Sequence, residues 1–114
     1  VAHGETPDNV REHPTLQGVT IPRTGQVGRI GTLVTKTLVI AGDGAIFTTP
    51  SGKEGAMLRA YDKATGEEIG QVFMPRPETG SPMTYMLNGV QYIVLAIGGR
   101  ATGGLVAFRL PSLP

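Results

Sequence analysis

The sequence predicts an all-β protein built from antiparallel sheets, and three observations lead to this fold class. The 114 residues include 17 glycines and 9 prolines, and these two residue types are the least favourable in a helix interior, so long helices are not expected. About seven short runs are rich in β-branched residues or alternate between apolar and polar residues, as strands do. Turn residues separate most of these runs by a few positions, which favours hairpins and therefore antiparallel pairing.

The first 31 residues are predicted to be irregular. Three prolines and five glycines interrupt this segment, and no apolar period lasts long enough to define an element. Only residues 14–16 are expected to form a helical turn. The chain therefore divides into an irregular Pro/Gly-rich segment at 1–31 and a β-strand segment at 32–114.

The first strands of the β region follow in order along the chain. Residues 32–41 form one long strand or two short ones, and a Gly-Asp-Gly turn then leads to a short strand at 45–49. Two further strands are predicted at 56–62 and 67–74, on either side of a Thr-Gly turn. A Pro-Arg-Pro sequence ends the second of them.

The strongest local signal is the dipeptide Asn88-Gly89 between two apolar, alternating runs. Asn-Gly supplies the two positive φ angles of a type I′ turn, so residues 82–87 and 90–97 are predicted to form a two-residue hairpin. A glycine-rich loop at 98–104 then precedes a last strand at 105–110. The hairpin turn fixes a register that places six apolar side chains on one face, in the pairs Leu87–Val90, Tyr85–Tyr92 and Met83–Val94.

Composition and charge exclude several classes of function. The formal net charge is +1 and no run of basic residues occurs, so a nucleic-acid footprint is absent. No apolar stretch approaches the ~18 residues of a membrane span. The chain has no cysteine, which excludes disulfides, thiolate catalysis and cysteine-based metal sites. A start at Val1 rather than Met is typical of a processed product or of a piece of a longer chain.

An internal repeat points to a propeller. The segments Leu58–Asp62 (LRAYD) and Leu105–Arg109 (LVAFR) share the pattern Leu-x-Ala-aromatic-polar and lie 47 residues apart. That period is typical of a propeller blade, so the chain holds about 2.4 blades, whereas a closed ring needs at least about four. The sequence therefore predicts about two blades of an incomplete β-propeller, with residues 32–114 as the blade segment. Its unpaired strand edges would pair with the rest of a longer polypeptide or with other copies of the chain.

Three stretches carry a resemblance to a known family: LRAYDKATGEEI at 58–69, GSPMTYMLNGVQYIVLAIGG at 80–99 and GLVAFRLP at 104–111. They resemble the C-terminal part of the pyrroloquinoline quinone (PQQ) dependent dehydrogenases, or quinoproteins, of the membrane-type glucose dehydrogenase kind. In that family an A-x-D-x-x-T-G-[KE] segment closes each blade of an eight-bladed propeller. The resemblance implies a periplasmic or extracellular oxidoreductase, with PQQ and calcium in the full-length enzyme and none expected for the isolated chain. One position departs from the family motif, because Gly70 stands where a tryptophan usually docks on the neighbouring blade.

The glycine-rich loop is the best candidate for a binding site. Glycines let the backbone approach a flat ligand closely, and the resemblance implies that this loop reaches the PQQ pocket near the propeller axis. Gly98 and Gly99 match the paired glycines of the family. Arg100 follows them, and its guanidinium is a candidate partner for a PQQ carboxylate. The alternative that stays open is an ordinary glycine hairpin loop.

No catalytic residue and no metal ligand are assigned within the chain. The resemblance implies that the catalytic base and the calcium ligands lie in earlier blades, and no segment here resembles their motifs. His3 and His13 lie in the irregular segment and are expected to be solvated. Asp43 and Asp62 are expected to serve the turns in which they stand.

Two functions from different classes are consistent with these observations. In the first, the chain is the C-terminal portion of a PQQ-dependent sugar or alcohol dehydrogenase, where it closes the propeller and lines the rim of the PQQ pocket without being catalytic alone. In the second, it is an independent structural β module without a cofactor, which self-associates into a homo-oligomer through its strand edges. Upstream sequence with further A-x-D-x-x-T-G repeats would favour the first.

Overall fold

The computed structural model describes residues 2–49 and 51–111. Within these residues, one short helix and one 3-10 turn precede eight strands, and this β composition confirms the predicted fold class. In chain order, the elements are α1 Asp8–Arg11, the 3-10 turn Pro14–Leu16, β1 Leu33–Val34, β2 Leu38–Gly42, β3 Phe47–Thr48, β4 Glu54–Asp62, β5 Glu68–Met74, β6 Met83–Leu87, β7 Val90–Ile97 and β8 Gly104–Arg109.

The first sheet runs antiparallel in the order β1-β2-β4-β5, and β3 pairs with the first residues of β4. The predicted strand at 32–41 is two strands, because Thr35 and Leu38 close a tight reversal between them: the Thr35 N–H donates to Leu38 O (2.9 Å). β4 begins two residues before its predicted start, because Phe47 of β3 pairs with Gly55. A side chain at Gly55 would collide with the ring of Phe73.

The second sheet holds β6, β7 and β8 in that order, all antiparallel. Asn88 and Gly89 have φ angles of 51° and 76°, as the predicted type I′ turn requires. The rings of Tyr85 and Tyr92 stack with their centroids 5.2 Å apart. The predicted register is confirmed, with the pairs Leu87–Val90, Tyr85–Tyr92 and Met83–Val94.

The repeated sequence pairs with its neighbouring strand in the same way in both sheets. Ile40 lies opposite Ala60 in β2 and β4, and Val94 lies opposite Ala107 in β7 and β8. These two alanines belong to the LRAYD and LVAFR segments, so the sequence repeat occupies equivalent positions in both sheets. The sheets differ at one edge: β4 carries β5 on its far side, whereas no described strand pairs with the far side of β8. The described residues therefore form two blade-like sheets that do not close a ring, the first with five strands and the second with three.

The hydrophobic core lies between the two sheets. Burying one large apolar side chain stabilises a fold by about 1.5–3 kcal/mol, so a shared core of this kind holds the two sheets together. Side chains alternate along a strand, so the intervening residues of β7 face away from this core. The buried core residues are Ile40, Ala56, Leu58 and Met74 of the first sheet and Ile93, Leu95 and Ile97 of β7.

The N-terminal segment folds back onto the first sheet. The predicted helical turn is present as the 3-10 turn, but α1 is not foreseen by the sequence analysis. This single turn has Asp8 at its start and Arg11 at its end, charges that suit the two ends of a helix. The Gln26 N–H donates to His3 O (2.9 Å), so distant parts of the segment meet. Among the described residues, no helix is long and apolar enough to cross a membrane.

Candidate functional site

Three strand connections meet at one end of the two sheets. Antiparallel strands reverse direction at each step, so alternate connections lie at the same end. Backbone hydrogen bonds join them: the Glu78 N–H donates to Asp43 O (2.9 Å), and the Gly98 N–H donates to Pro77 O (2.9 Å). The three connections are those that follow Gly42 of β2, Met74 of β5 and Ile97 of β7.

The three connections enclose a cleft of about 470 Å³, which we call the seam cleft. The predicted site residues Gly98 and Gly99 lie in its wall. Arg100 is exposed and follows them in the chain, outside the set of residues that line the cleft. The lining residues are Gly44, Ile46, Arg76, Pro77, Glu78, Thr79, Gly98, Gly99 and Thr102.

The backbone requires glycine at Gly98 but not at Gly99, the two glycines of the wall. Gly98 has a φ of 80°, and a Cβ there would collide with the carbonyl oxygen of Thr102, so the loop itself requires glycine. At Gly99, no described atom lies within 4 Å of where a Cβ would stand. Packing does not require glycine at this second position, and the missing side chain leaves the wall open to a ligand. The loop is closed by the Gly99 N–H, which donates to Thr102 Oγ1 (3.2 Å).

Arg76 supplies the positive charge among the residues that line the seam cleft. Its Nη1 donates to Pro75 O, the carbonyl of the preceding residue, at 3.3 Å. It forms no ion pair with any other residue of the described ranges. Arg76 is not predicted as a site residue from the sequence, because Pro75 and Pro77 on either side mark the position as the end of a strand.

Glu78 is the buried acid of the seam cleft, and it too is not predicted as a site residue from the sequence. Its side chain is only 2% exposed. Oε1 accepts a hydrogen bond from the Gly42 N–H (3.0 Å), and Oε2 has no hydrogen-bond partner among the described residues. Burial raises the pKa of Glu78 to about 7, although the N–H groups of Gly42 and Gly31 lower it. The carboxyl is therefore protonated in a large share of the molecules at neutral pH.

A buried ion pair joins β4 to the turn that follows β2, beside the seam cleft. Arg59 Nε and Nη2 donate to Asp43 Oδ1 and Oδ2 at 2.8 and 2.9 Å, and both side chains are fully buried. Asp43 Oδ2 also accepts from the Met57 N–H (3.0 Å). Burial alone would lower the pKa of Arg59, but the hydrogen bond and the negative charge of Asp43 outweigh this effect and raise the pKa above its ordinary value. The Arg59 guanidinium therefore stays charged. Asp43 thus holds a buried arginine rather than serving the predicted turn.

His3 is not the solvated side chain that the sequence analysis predicts. Its Nδ1 lies 2.7 Å from the Tyr61 hydroxyl, and its Nε2 lies 2.9 Å from Gly42 O. Because a carbonyl oxygen only accepts, Nε2 carries a proton, and in the neutral ring Nδ1 accepts from the tyrosine hydroxyl. His13, by contrast, is exposed, and its Nδ1 accepts from the Thr15 N–H. Across the part of the chain that the structure describes, no group of three or more acidic, histidine or cysteine side chains could hold a metal ion.

Comparison with protein families gives one match that covers most of the chain. Residues 1–93 match the family model described as "PQQ: Glucose/ethanol/alcohol dehydrogenase, beta-propeller domain". The matched part ends within β7, so the glycine-rich loop and β8 lie beyond it. No solved structure matches the chain at a significant level.

Curated proteins similar to the chain carry dehydrogenase names. A quinoprotein glucose dehydrogenase of Escherichia coli (strain K12) is 40% identical over 60 residues, which cover 47% of this chain and 8% of that protein. The glycerol dehydrogenase large subunit of Gluconobacter thailandicus is 32% identical over 94 residues, 77% of this chain and 12% of that protein. A probable quinate dehydrogenase (quinone) of Xanthomonas campestris pv. juglandis is 37% identical over 68 residues, 54% of this chain and 9% of that protein. The chain thus spans only about a tenth of the length of these relatives.

Proposed function

Because the chain belongs to the PQQ-dependent glucose/ethanol/alcohol dehydrogenase β-propeller family, we propose that it is the C-terminal portion of such an enzyme, which oxidises a sugar or an alcohol. In this proposal the chain closes the propeller and lines the rim of the PQQ pocket. The observation that carries the proposal is the seam cleft, where the two predicted glycines lie in a wall between the two blades.

The outer face of the second sheet supports a role in closing the propeller. Met83, Leu87 and Leu105 lie on the face of the sheet that points away from the core, and they are 51%, 53% and 78% exposed. An apolar face of this extent is expected to be covered by another surface. The chain spans only about a tenth of its relatives, so we assign the cover to the remainder of the propeller.

The free edge of β8 supports the same role. The first sheet carries β5 at the equivalent edge of β4, whereas the described strands leave the backbone groups of β8 unpaired on that side. An open edge of this kind is a template for an additional strand. We propose that a strand from elsewhere in the full-length polypeptide occupies it, or a strand from a second copy if the chain is produced alone.

The residues of the seam cleft fit a flat, carboxylate-bearing cofactor. Gly99 presents bare backbone to the cleft, and Arg100 stands beside this wall, where its guanidinium can pair with a carboxylate at the rim. PQQ, when bound, supplies the two-electron, two-proton oxidation chemistry. We assign the catalytic base and the calcium that polarises the cofactor to blades outside this chain, so the chain alone is not expected to turn over substrate.

The proposed electron acceptor and the proposed location of the enzyme both follow from the family resemblance. A quinone or a cytochrome would take the electrons from the reduced cofactor, and one relative carries the word quinone in its name. We propose that the full-length enzyme works in the periplasm or outside the cell.

A pair of matched glycine variants in the full-length protein tests the cofactor pocket. Gly99 and Gly104 both have open space where a Cβ would stand and neither has a positive φ, but only Gly99 lines the seam cleft. We expect Gly99→Leu to weaken PQQ binding to the apoprotein at least about tenfold, because the side chain fills the cleft wall. Gly104→Leu is the control and is expected to bind PQQ as the wild type does.

Quenching of intrinsic fluorescence during a PQQ titration gives the Kd of each protein. A wild-type protein that leaves the PQQ spectrum and its own fluorescence unchanged would refute the PQQ function. Equal binding by the wild type and both variants would refute the assignment of the pocket wall to Gly99.

A further inference from the structure

We propose that Arg76 is a cofactor-binding residue that pairs with a carboxylate of the quinone inside the seam cleft. This inference rests on the proposed function and deepens it. The sequence-based expectation assigned the carboxylate partner to Arg100 at the rim of the cleft, whereas Arg76 is one of the lining residues.

The position of Arg76 is fixed from both sides. Pro75 and Pro77 each lock their own φ near −65°, which limits the freedom of this short stretch of backbone. Pro77 O accepts the hydrogen bond of the Gly98 N–H (2.9 Å). The backbone next to Arg76 is therefore joined directly to the glycine wall against which a flat ligand would lie.

The guanidinium of Arg76 is free to take an anion. Its Nη1 donates to Pro75 O at the long distance of 3.3 Å, and the side chain is exposed. Four of the five N–H donors of an arginine thus have no described partner to give up when a ligand binds. A carboxylate accepts such donors in pairs, in the plane of the guanidinium.

The acid in the same cleft does not neutralise Arg76. Glu78 is the one acid among the described lining residues, and its side chain is almost fully buried. Its Oε1 accepts from the Gly42 N–H (3.0 Å), which turns the carboxyl toward the first sheet. No acid of the described residues forms an ion pair with Arg76, so its positive charge stays available to an anionic ligand.

Three arginine variants of the full-length apoprotein separate this role from a general charge effect. Arg76→Gln is the test, Arg100→Gln probes the rim, and Arg109→Gln is the matched control, because Arg109 is also exposed but lies at the other end of β8. We expect R76Q to raise the Kd for PQQ by about tenfold or more, as the loss of a hydrogen bond to a charged group does. R109Q should leave the Kd within about twofold of the wild type, and Arg76→Lys should restore part of the affinity.

An esterified probe makes the test specific for the carboxylate. PQQ trimethyl ester has the same ring system but no negative charge, so R76Q should bind it as well as the wild type does. The Kd of PQQ itself should rise with salt more steeply for the wild type than for R76Q, because the ion pair is screened.

The outcomes distinguish the two proposals. Absence of PQQ binding by the wild type would overturn the PQQ function and this inference together. Wild-type binding with an unchanged Kd in R76Q, or an equal loss of affinity for PQQ and its ester, would overturn the role of Arg76 and leave the function standing. A loss in R100Q but not in R76Q would return the carboxylate to the rim.

Discussion

Glu78→Gln should change how the stability of the protein depends on pH. Burial raises the pKa of Glu78 from 4.5 to about 7 in the folded state, whereas the unfolded chain keeps the ordinary value. Below pH 4.5 both states are protonated and the fold keeps its full stability. As the pH rises toward 7 the unfolded state ionises first, and the fold loses about 3 kcal/mol, at 1.36 kcal/mol per pKa unit. A glutamine is similar in shape to the protonated acid and cannot ionise, so E78Q should escape this loss.

Urea denaturation of the wild type and E78Q at pH 5, 6, 7 and 8 checks this prediction. The free energy of unfolding of E78Q minus that of the wild type should rise with pH by about 2–3 kcal/mol across this range. The amide NH₂ group of the new glutamine has no hydrogen-bond partner among the described residues, which changes the free energy of unfolding of E78Q by an amount that does not depend on pH. Glu54→Gln serves as the control, because Glu54 is exposed, and its difference should stay near zero. A difference between E78Q and the wild type that does not change with pH would refute the argument that a buried carboxyl without an ionic partner lies in the seam cleft.

Three further predictions concern stability measured by urea denaturation at pH 7. Arg59→Leu should lower the free energy of unfolding by about 3–5 kcal/mol, because it leaves the Asp43 carboxylate buried without its partner; a loss below about 1 kcal/mol would contradict the buried pair. Asn88→Ala should cost about 1 kcal/mol, because alanine tolerates a positive φ poorly, whereas Asn88→Gly should be nearly neutral; equal effects would contradict the type I′ turn. Gly70→Val should stabilise the protein by about 1 kcal/mol, since it replaces a glycine inside a strand and adds apolar atoms to the cavity between the sheets that Gly70 and Phe108 both line. Destabilisation would show that the cavity has no room for them.

The parts of the fold that depend on short-range chemistry are predictable from the sequence. The Asn88-Gly89 turn fixes its hairpin register by itself, because the two positive φ angles allow one pairing of the flanking strands. The role of Asp62 in its own turn is also predictable from the local sequence. Its Oδ1 accepts hydrogen bonds from the N–H groups of Ala64 and Thr65 at 2.8 and 3.0 Å. The strand at 67–74 follows from composition and the proline after it, and the structure agrees to within one residue.

The parts of the site that depend on long-range contacts are not predictable in this way. Arg59 and Asp43 are 16 residues apart, and no local pattern tells a buried arginine from one on a solvated strand face. His3 meets Tyr61 across 58 positions, which requires the N-terminal segment to fold back on the sheet. The sequence around Glu78 is typical of a loop, and the side chain is buried only because three strand connections that are distant in the sequence meet around it. The glycines of the wall are found by sequence because their backbone chemistry is local, whereas the charges beside them are not.

The departure from the family motif at Gly70 falls where it does little harm to the proposed site. The cavity that Gly70 lines, about 500 Å³ between the two sheets, also contacts Arg109 and Leu110 at the end of β8 that is far from the seam cleft. At the near end, the sheets are joined by backbone hydrogen bonds that need no tryptophan, including the Thr79 N–H to Ala96 O (3.0 Å). Packing is therefore loose at one end of the blade junction and hydrogen-bonded at the other. Because the wall residue Gly98 belongs to the hydrogen-bonded end, a blade can lose its docking tryptophan and still hold the backbone that we propose lines the cofactor pocket.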